Sequence, residues 1–366
     1  RLVSIWRNDS TSNYFSKMAL AQKKHKVLLW GFLSLLALGI TIRFLFVLVW
    51  SPNTQFEDQQ VIYIPTGADQ SIFMDRVAPY LKNPSSFERF ISVRQGWEVI
   101  KPGKYTLKSS MNNLDMYRKF RQGSETVKVV FNNQDRLELL AGRVGSQIEA
   151  DSVSLMNAWT DPQFLADKKL TKDQVLAIFL PNSYEFFWNT DATSFRDRMW
   201  AYYEKYWTSE RRELAQQQGL TPIEVSCLAA VVHKETVQSE ERARVAGVYL
   251  NRLRIGMKLQ ADPTVIFAIK YQSNNFDQVI KRVFHKDLLV DSPFNTYRYK
   301  GVPPGLIAMP DLSAIEAVLQ PESHNYLFFV ADPSKPGYHR FSTHYGQHIN
   351  QSKSYVRWVD RLGIDR

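Results

Sequence analysis

The carboxyl of Glu235 lies at a position in the sequence where a glutamate can act as an acid catalyst. Apolar residues before it recur at the i, i+3, i+4, i+7 spacing of a buried helix face: Val225, Leu228, Ala229 and Val232. The same spacing, continued, reaches Glu235 or Thr236 near the expected end of the helix. Burial and the negative end of the helix dipole both disfavour a carboxylate, so we expect a raised pKa for Glu235. A carboxyl that keeps its proton near neutral pH can serve as a general acid.

Glu235 could instead be only the ion-pair partner of a nearby cation. Candidate partners that follow it in the sequence are Arg242, Arg244 and Lys258. The run Ser239–Glu241 predicts an N-cap serine and two solvated acidic residues in the first turn of the next helix. Asp262 and Pro263 likewise predict the N-cap and the first position of a short helix. Glu235 is therefore the one carboxylate in this segment with a strong claim to chemistry.

A different class of enzyme has to be weighed because three histidines near the C-terminus have spacings that could hold zinc. They are His339, His344 and His348. No H-E-x-x-H motif accompanies them. The single cysteine, Cys227, allows no intrachain disulfide, and its apolar neighbours favour a buried thiol over a nucleophile.

The sequence around Glu235 resembles the endolytic murein transglycosylases of the YceG-like family. That family has a K-E-T run on its catalytic helix, a second helix ending in N-R-L, and a Q-x-D-P-T-V turn. The corresponding runs here are Lys234–Thr236, Asn251–Leu253 and Gln260–Val265. Further blocks follow in the family's order: Ser292–Tyr297, Gly301–Ile307, Tyr326–Asp332, His339–Phe341 and His348–Asn350. The resemblance is weaker towards Val61 but persists.

The resemblance implies a lytic transglycosylase that uses one carboxyl, Glu235, and no metal or other cofactor. Glu235 would protonate the glycosidic oxygen between N-acetylmuramic acid and N-acetylglucosamine and then act as a base on the muramyl C6 hydroxyl. That hydroxyl would close on C1 and leave a 1,6-anhydro end, without consuming water. Because the attack is intramolecular, orientation supplies much of the catalysis.

The resemblance also implies a set of substrate-binding residues: Gln260, Asp262, Thr264, Asn295, Thr296 and Tyr297. Structural roles, such as capping by Thr264 or turn formation by Asn295, remain alternatives for each. The run Leu180–Phe186 resembles the family's W-P-D-T-Y block. Its Tyr184 is a candidate floor for a sugar ring, although a tyrosine at a helix-to-loop corner is more often a core residue.

Residues 27–50 form an apolar run of 24 residues with one charge, Arg43. At ~1.5 Å per residue a helix of this length crosses a bilayer core. A secretory signal peptide is the alternative, but the run is long and no small-residue cleavage site follows it. The first residue is not Met, and Met18 precedes a compact basic stretch, so residues 1–17 are a candidate upstream extension of the reading frame.

Residues 1–26 contain six Lys or Arg residues and one Asp, so the positive-inside bias predicts a cytoplasmic N-terminus and an extracytoplasmic remainder. The chain is thus expected to be a single-pass protein of the bacterial inner membrane. Its net charge of +10 is concentrated beside the apolar run, which suits anionic lipid heads and gives little support to a nucleic-acid partner. The resemblance implies action on nascent glycan strands, alongside peptidoglycan synthases. A catalytically silent, membrane-tethered glycan-binding protein is the remaining alternative.

Outside the membrane the sequence predicts an α+β protein. A polar stalk over residues 51–60 precedes a small module over 61–131 and a mixed, mainly helical catalytic domain over 132–366. The module has three predicted strands, Val61–Ile64, Gly103–Leu107 and Thr126–Phe131, with helices over 70–81 and 113–121. It resembles a LysM module, which implies binding to N-acetylglucosamine-containing glycans, with a folding spacer as the alternative.

Overall fold

The computed structural model describes residues 9–361 and divides the chain into two compact units between Glu125 and Thr126. The first unit contains α1 (Asp9–Val49), β1 (Gln59–Ile64), α2 (Gln70–Val77), α3 (Pro84–Val93), β2 (Gly103–Lys108) and α4 (Asn113–Gln122). The second unit contains β3 (Thr126–Phe131), α5 (Leu137–Gly145), α6 (Ser152–Trp159), α7 (Pro162–Lys168), β4 (Asn182–Phe187), α8 (Ala192–Tyr206), α9 (Ser209–Gln217), α10 (Pro222–Glu235), α11 (Arg242–Arg254), α12 (Asp262–Ser273), α13 (Leu312–Leu319), β5 (Phe328–Ala331), β6 (His339–Ser342) and α14 (Tyr345–Arg361). The predicted α+β class is confirmed.

The long first helix, α1, includes the predicted apolar run. Its segment Ser16–Val49 is long and apolar enough to cross a membrane, as an anchor or as a signal sequence. Most of the large apolar side chains between Val27 and Trp50 are exposed, as expected for a helix whose apolar surface is covered by lipid. Near its end, Leu48 is buried in the core of the first unit, where the Asn113 amide donates to the Leu48 carbonyl at 2.8 Å.

A two-stranded antiparallel sheet and three helices form the rest of the first unit. Strands β1 and β2 pair with Gln59 opposite Lys108 and Ile64 opposite Gly103. Asp69, Asn83 and Asn112 cap α2, α3 and α4 with their side chains, which accounts for where these helices begin. The core of this unit is aromatic, and its largest members are Phe73, Phe87, Tyr105 and Phe120.

The predicted polar stalk over residues 51–60 is instead part of the folded first unit. Asn53 and Thr54 are buried, and the Asn53 side chain bonds to the Asn83 backbone and to the Asn113 side chain. Gln59 and Gln60 already belong to β1. The polar composition of residues 51–60 predicted a stalk. The sequence alone does not show that backbone groups elsewhere in the unit form hydrogen bonds with these side chains and so bury them.

Strand β3 has the predicted bounds but belongs to the second unit, whereas the sequence assigned it to the small module. It pairs antiparallel with β4, from Thr126 opposite Phe187 to Phe131 opposite Asn182. The strand β4 was also missed, because the sequence indicated mainly helices between Asp135 and Pro222. The partner of β3 is about fifty residues away in the sequence, so local patterns could not identify it.

Helix α10 is the central helix of the second unit. Thr221 and Glu224 form a capping box at its start with Pro222 in the first turn, and residues 225–232 are all buried. The helix packs against α11, α12 and α13. It ends at Glu235, and Thr236 follows in an extended conformation. The predicted inward helix and its end are therefore both present.

Candidate active site

Glu235 is the last residue of α10, and its carboxyl opens on one side into a cavity. Its Oε1 accepts a hydrogen bond from the Tyr249 hydroxyl at 2.7 Å. The pKa of Glu235 is raised to about 7: burial is the main cause and the nearby Asp262 adds to it, while the Tyr249 hydrogen bond and Arg252 act in the opposite direction. About half of the molecules would then carry the proton at neutral pH, so the group can donate a proton or accept one.

The ion-pair alternative for Glu235 is not supported by the contacts of the nearby cations. Arg242 pairs with Asp311 at 2.7 Å, and Arg244 pairs with Glu322 at 2.9 Å. Within residues 9–361, Glu235 forms no ion pair. With no ion-pair partner in contact, the more distant charge of Arg252 offsets only part of the cost of burying the Glu235 carboxylate.

The cavity beside Glu235 has a volume of about 330 Å³, within the range of small-molecule sites. It combines polar and aromatic side chains from α10, α11, the turn before α12, β5 and α14. The residues that line it are Glu235, Tyr249, Arg252, Gln260, Asp262, Tyr297, Phe328, Phe329, Tyr345 and His348. Polar groups can orient a sugar here, while the aromatic rings supply apolar surface.

Helix α11 contributes Tyr249 and Arg252 to the cavity. Burial raises the pKa of Tyr249 well above its ordinary value, so its hydroxyl remains a neutral donor to Glu235. The Arg252 guanidinium is buried and donates to the carbonyls of Leu327 and Leu259, both at 2.6 Å. These bonds fix a positive charge beside the cavity without neutralising it.

The turn before α12 contributes Gln260 and Asp262. Gln260 has a left-handed backbone with φ of 49°. The Asp262 Oδ1 atom accepts a hydrogen bond from the Tyr297 hydroxyl at 2.6 Å. The predicted N-cap role of Asp262 is wrong: Ala261 is the N-cap, and Asp262 is the first helical residue and has turned its side chain to Tyr297. Gln260, Asp262 and Tyr297 thus meet at the cavity, and their binding of substrate stays a prediction.

Thr264, Asn295 and Thr296 do not line the cavity but are buried behind it. The Thr264 and Thr296 hydroxyls lie 2.8 Å apart, and Thr296 accepts a hydrogen bond from the Ala261 backbone at 3.0 Å. The Asn295 amide donates to the carbonyls of Leu288 and Val290. The structural roles considered for these residues fit their positions, because they hold the turn that presents Gln260 and Asp262.

Tyr184 lies in the core on β4, away from the Glu235 cavity. Its hydroxyl donates to the Leu180 carbonyl at 2.6 Å, and its ring stacks on Phe131 and contacts Tyr202. It is 7% exposed, so it offers no face to a sugar. Tyr184 is therefore a core residue, the alternative considered from the sequence, because the pairing of β4 with β3 orients its side chain inward.

The three candidate zinc ligands do not meet. His339 Nδ1 lies 3.0 Å from the Glu241 carboxylate, His348 lines the Glu235 cavity with its ring stacked on Phe328, and His344 is exposed. No group of three His, Cys, Asp or Glu residues suited to a metal ion occurs within residues 9–361. Glu241 was expected to be solvated in the first turn of a helix. It is instead buried, and its carboxylate also accepts a hydrogen bond from the His339 backbone N–H at 3.0 Å.

Six of the residues that line the cavity were not among the predicted site residues: Tyr249, Arg252, Phe328, Phe329, Tyr345 and His348. Tyr249 could have been found from the sequence, because it belongs to the apolar face of α11 that points inward. The residues of β5 and α14 reach the cavity because β5 contacts α11, through Tyr249–Phe329 and Arg252–Phe328, and α14 packs against β5. That packing joins positions about eighty to a hundred residues apart in the sequence.

The sequence profile of the YceG-like family matches residues 62–354, so this chain belongs to that family. An endolytic murein transglycosylase of Bacillus subtilis (strain 168) is 39% identical over 104 residues, which are 28% of this chain and 27% of the relative. An endolytic murein transglycosylase of Streptococcus pneumoniae serotype 2 is 26% identical over 271 residues, 66% of this chain and 48% of the relative. The chain thus spans about half, or less, of the length of these curated relatives.

A solved structure gives the same family. The crystal structure of a putative YceG-like protein from Listeria monocytogenes matches with a TM-score of 0.53 and 25% sequence identity. The match covers 80% of this chain and 98% of the Listeria chain.

Proposed function

We propose that this protein is a membrane-anchored murein transglycosylase that cleaves the β-1,4 bond between N-acetylmuramic acid and N-acetylglucosamine. The proposal rests above all on Glu235, whose carboxyl has a pKa of about 7 and opens into a cavity. The printed name of the Bacillus and Streptococcus relatives supports the substrate class. Family membership alone would not assign the roles of single residues.

In the proposed reaction, protonated Glu235 gives its proton to the glycosidic oxygen as the bond to the muramyl C1 breaks. The resulting carboxylate then takes the proton of the muramyl C6 hydroxyl, whose oxygen attacks C1 and forms the 1,6-anhydro ring. Glu235 is protonated again at the end, and no water is consumed. A pKa near 7 suits both steps, because a catalyst that alternates between acid and base works best when the two forms are close in free energy.

The other cavity residues have proposed roles in this reaction. Tyr249 orients Glu235 and stabilises its carboxylate form, and Arg252 provides positive charge beside the carboxylate formed in the first step. Gln260, Asp262 and Tyr297 bind the hydroxyl and acetamido groups of the sugars. Thr264, Asn295 and Thr296 position that turn from behind.

A hydrolase with two carboxylates is the second candidate, because Asp262 lines the same cavity as Glu235. Hydrolases generally use one carboxyl as acid and another as base or nucleophile. The Tyr297 hydroxyl already donates to Asp262, which favours a binding role for this carboxylate. Asp262→Asn should therefore lower turnover much less than Glu235→Gln. Equal losses in both variants, with unchanged melting temperatures, would favour hydrolysis.

The N-terminal half has proposed roles as an anchor and a guide. Helix α1 would hold the protein in the bacterial inner membrane, with its basic end in the cytoplasm and the second unit outside. The α+β first unit would act as a LysM-like module that binds nascent glycan, and peptidoglycan synthases are the expected neighbours. A catalytically silent glycan-binding protein remains the competing function: it would bind isolated sacculi without releasing any fragment.

A further inference from the structure

A second cleft lies in the second unit, close to the Glu235 cavity along the chain. It consists of two adjoining cavities of about 260 and 330 Å³ that share Asp135, Arg136, Phe267 and Phe276. Two pairs of neighbouring residues connect it with the candidate active site. Lys234 lines the cleft and precedes Glu235, and Pro263 lines the cleft and follows Asp262.

The cleft combines an apolar wall with charged side chains of both signs. Leu139, Ile266 and Phe267 supply apolar surface. Besides Arg136, the charged side chains are Lys172, Lys234, Lys270, Asp135, Glu138, Asp173 and Asp277. Lys234 pairs with Asp135 at 2.6 Å. The Arg136 guanidinium lies over the Phe276 ring, 4.7 Å from its centroid, and it pairs with no carboxylate within residues 9–361. Arg136 therefore has its ion-pairing capacity available to a ligand.

The aromatic rings of this cleft are poorly suited to stacking a sugar. Arg136 covers one face of Phe276, while Phe267 is stacked on Tyr271 and contacts Phe276 and Phe294. A ligand here would instead place alkyl groups on the apolar wall and a carboxylate at Arg136. The cleft thus fits a short, flexible chain that combines apolar groups with charged groups, one of them a carboxylate at Arg136.

We propose that this cleft binds the peptide stem of murein, the short chain of amino acids on the lactyl group of N-acetylmuramic acid. This proposal rests on the proposed function, because it places the muramyl residue in the Glu235 cavity. The stem is attached to the same sugar whose C1 is attacked. The cleft is well placed to receive it, because Lys234 and Pro263 of the cleft are the chain neighbours of Glu235 and Asp262. Arg136 pairs with a stem carboxylate, and the apolar wall receives alanine-like side chains.

The test measures binding without turnover, in the full-length protein carrying Glu235→Gln. The ligands are a GlcNAc–MurNAc disaccharide with its peptide stem and the same disaccharide without it, titrated calorimetrically. Arg136→Gln should raise the Kd of the stem-bearing ligand about fivefold, the upper range for a partly exposed ion pair, and leave the Kd of the bare disaccharide unchanged. Arg136→Lys should bind the stem-bearing ligand more tightly than Arg136→Gln, because it keeps the charge.

Arg282→Gln is the matched control. Arg282 also lies over a phenylalanine, Phe284, but lines neither part of the cleft, so its loss should change neither Kd. The proposal is overturned if Arg136→Gln leaves the Kd of the stem-bearing ligand unchanged or weakens both ligands equally. Failure of the wild-type protein to cleave murein would contradict the proposed function instead, and the two Kd values would still decide whether the cleft binds the stem.

Discussion

At the scale of single residues, the protonation of Glu235 depends on a few named neighbours. Its pKa is raised to about 7; burial has the largest effect, and the negative charge of Asp262 acts in the same direction. The Tyr249 hydroxyl and the positive charge of Arg252 favour the carboxylate. Each neighbour can be altered separately, so the account can be tested residue by residue.

Glu235→Gln should reduce turnover on the order of 10²-fold or more, because Gln is nearly isosteric but cannot exchange a proton. The measurement is the rate at which the purified variant releases fragments from sacculi. Retention of more than a tenth of wild-type activity would contradict the role assigned to Glu235.

The same variant has a stability signature that depends on pH. Because the folded pKa of Glu235 is raised from 4.5 to about 7, its contribution to folding is fully present below pH 4.5 and is lost as pH rises through 7. The glutamine side chain does not titrate, so the Glu235→Gln variant loses no such contribution to folding over this pH range. Its melting temperature should therefore rise relative to the wild type between pH 4.5 and 8, and a constant difference would show that Glu235 is not perturbed.

Tyr249→Phe should move the pH dependence of turnover. The Tyr249 hydroxyl stabilises the Glu235 carboxylate at 2.7 Å, so its removal raises the pKa of Glu235 further, by about one unit. The limb of the rate profile that falls as Glu235 loses its proton should shift to higher pH by the same amount. A lower rate with an unshifted profile would mean that Tyr249 only supports packing.

At the scale of elements, α11 holds the residues that line one side of the cavity, and the segment 322–327 runs along it. Asn251 donates to the carbonyls of His324 and Tyr326, and Arg252 donates to that of Leu327. Gly247 makes this close approach possible. A Cβ atom there would lie 2.8 Å from the Glu322 carbonyl and 2.6 Å from the His324 ring.

Gly247→Ala should therefore push the segment away from α11, destabilise the protein by about 1–3 kcal/mol, and lower activity by displacing Arg252. Thermal unfolding and turnover measure the two effects. Gly142→Ala, on α5, is the matched control: no atom lies within 4 Å of its Cβ, so it should stabilise the protein by up to ~1 kcal/mol. Equal behaviour of the two variants would contradict the packing described for α11.

The sequence predicted those elements whose determinants are local. The stripe from Val225 to Val232 and the end of α10 at Glu235 were readable because helix periodicity relates neighbouring turns. Local patterns could not predict three other features, because each depends on contacts between residues distant in the sequence. These features are the inward orientation of Tyr184, the burial of Thr264 and the folding of residues 51–60. Of the cavity residues, the family resemblance led us to expect Gln260, Asp262 and Tyr297, whereas Phe328 and Phe329 lie in a resembling block to which no role was assigned.

At the scale of the whole molecule, the proposed anchor leads directly into a folded unit without the predicted stalk. Leu48 is buried in that unit, and Asn113 bonds to its carbonyl. A released form should therefore begin before Phe46, so that these contacts are kept. Without a stalk, a membrane-held protein would have little freedom to seek distant glycan, and we therefore expect proximity to the membrane to select its substrate.

Replacing residues 1–45 with a cleavable export signal should preserve product formation on isolated sacculi and impair the cellular role. Glycan-strand length, measured in cells that rely on the released form at native expression, is the test. Normal strand lengths would show that membrane proximity does not select the substrate.

The central claim concerns one carboxyl that protonates the glycosidic bond and then activates a hydroxyl of the substrate itself. Mass spectrometry of the fragments that the purified wild-type protein releases from sacculi tests it most directly. We predict muramyl ends of 1,6-anhydro mass, one water lighter than a hydrolysed end, with none released by Glu235→Gln. Fragments with reducing, hydrated muramyl ends would contradict the account and favour hydrolysis with Asp262 as the second carboxylate.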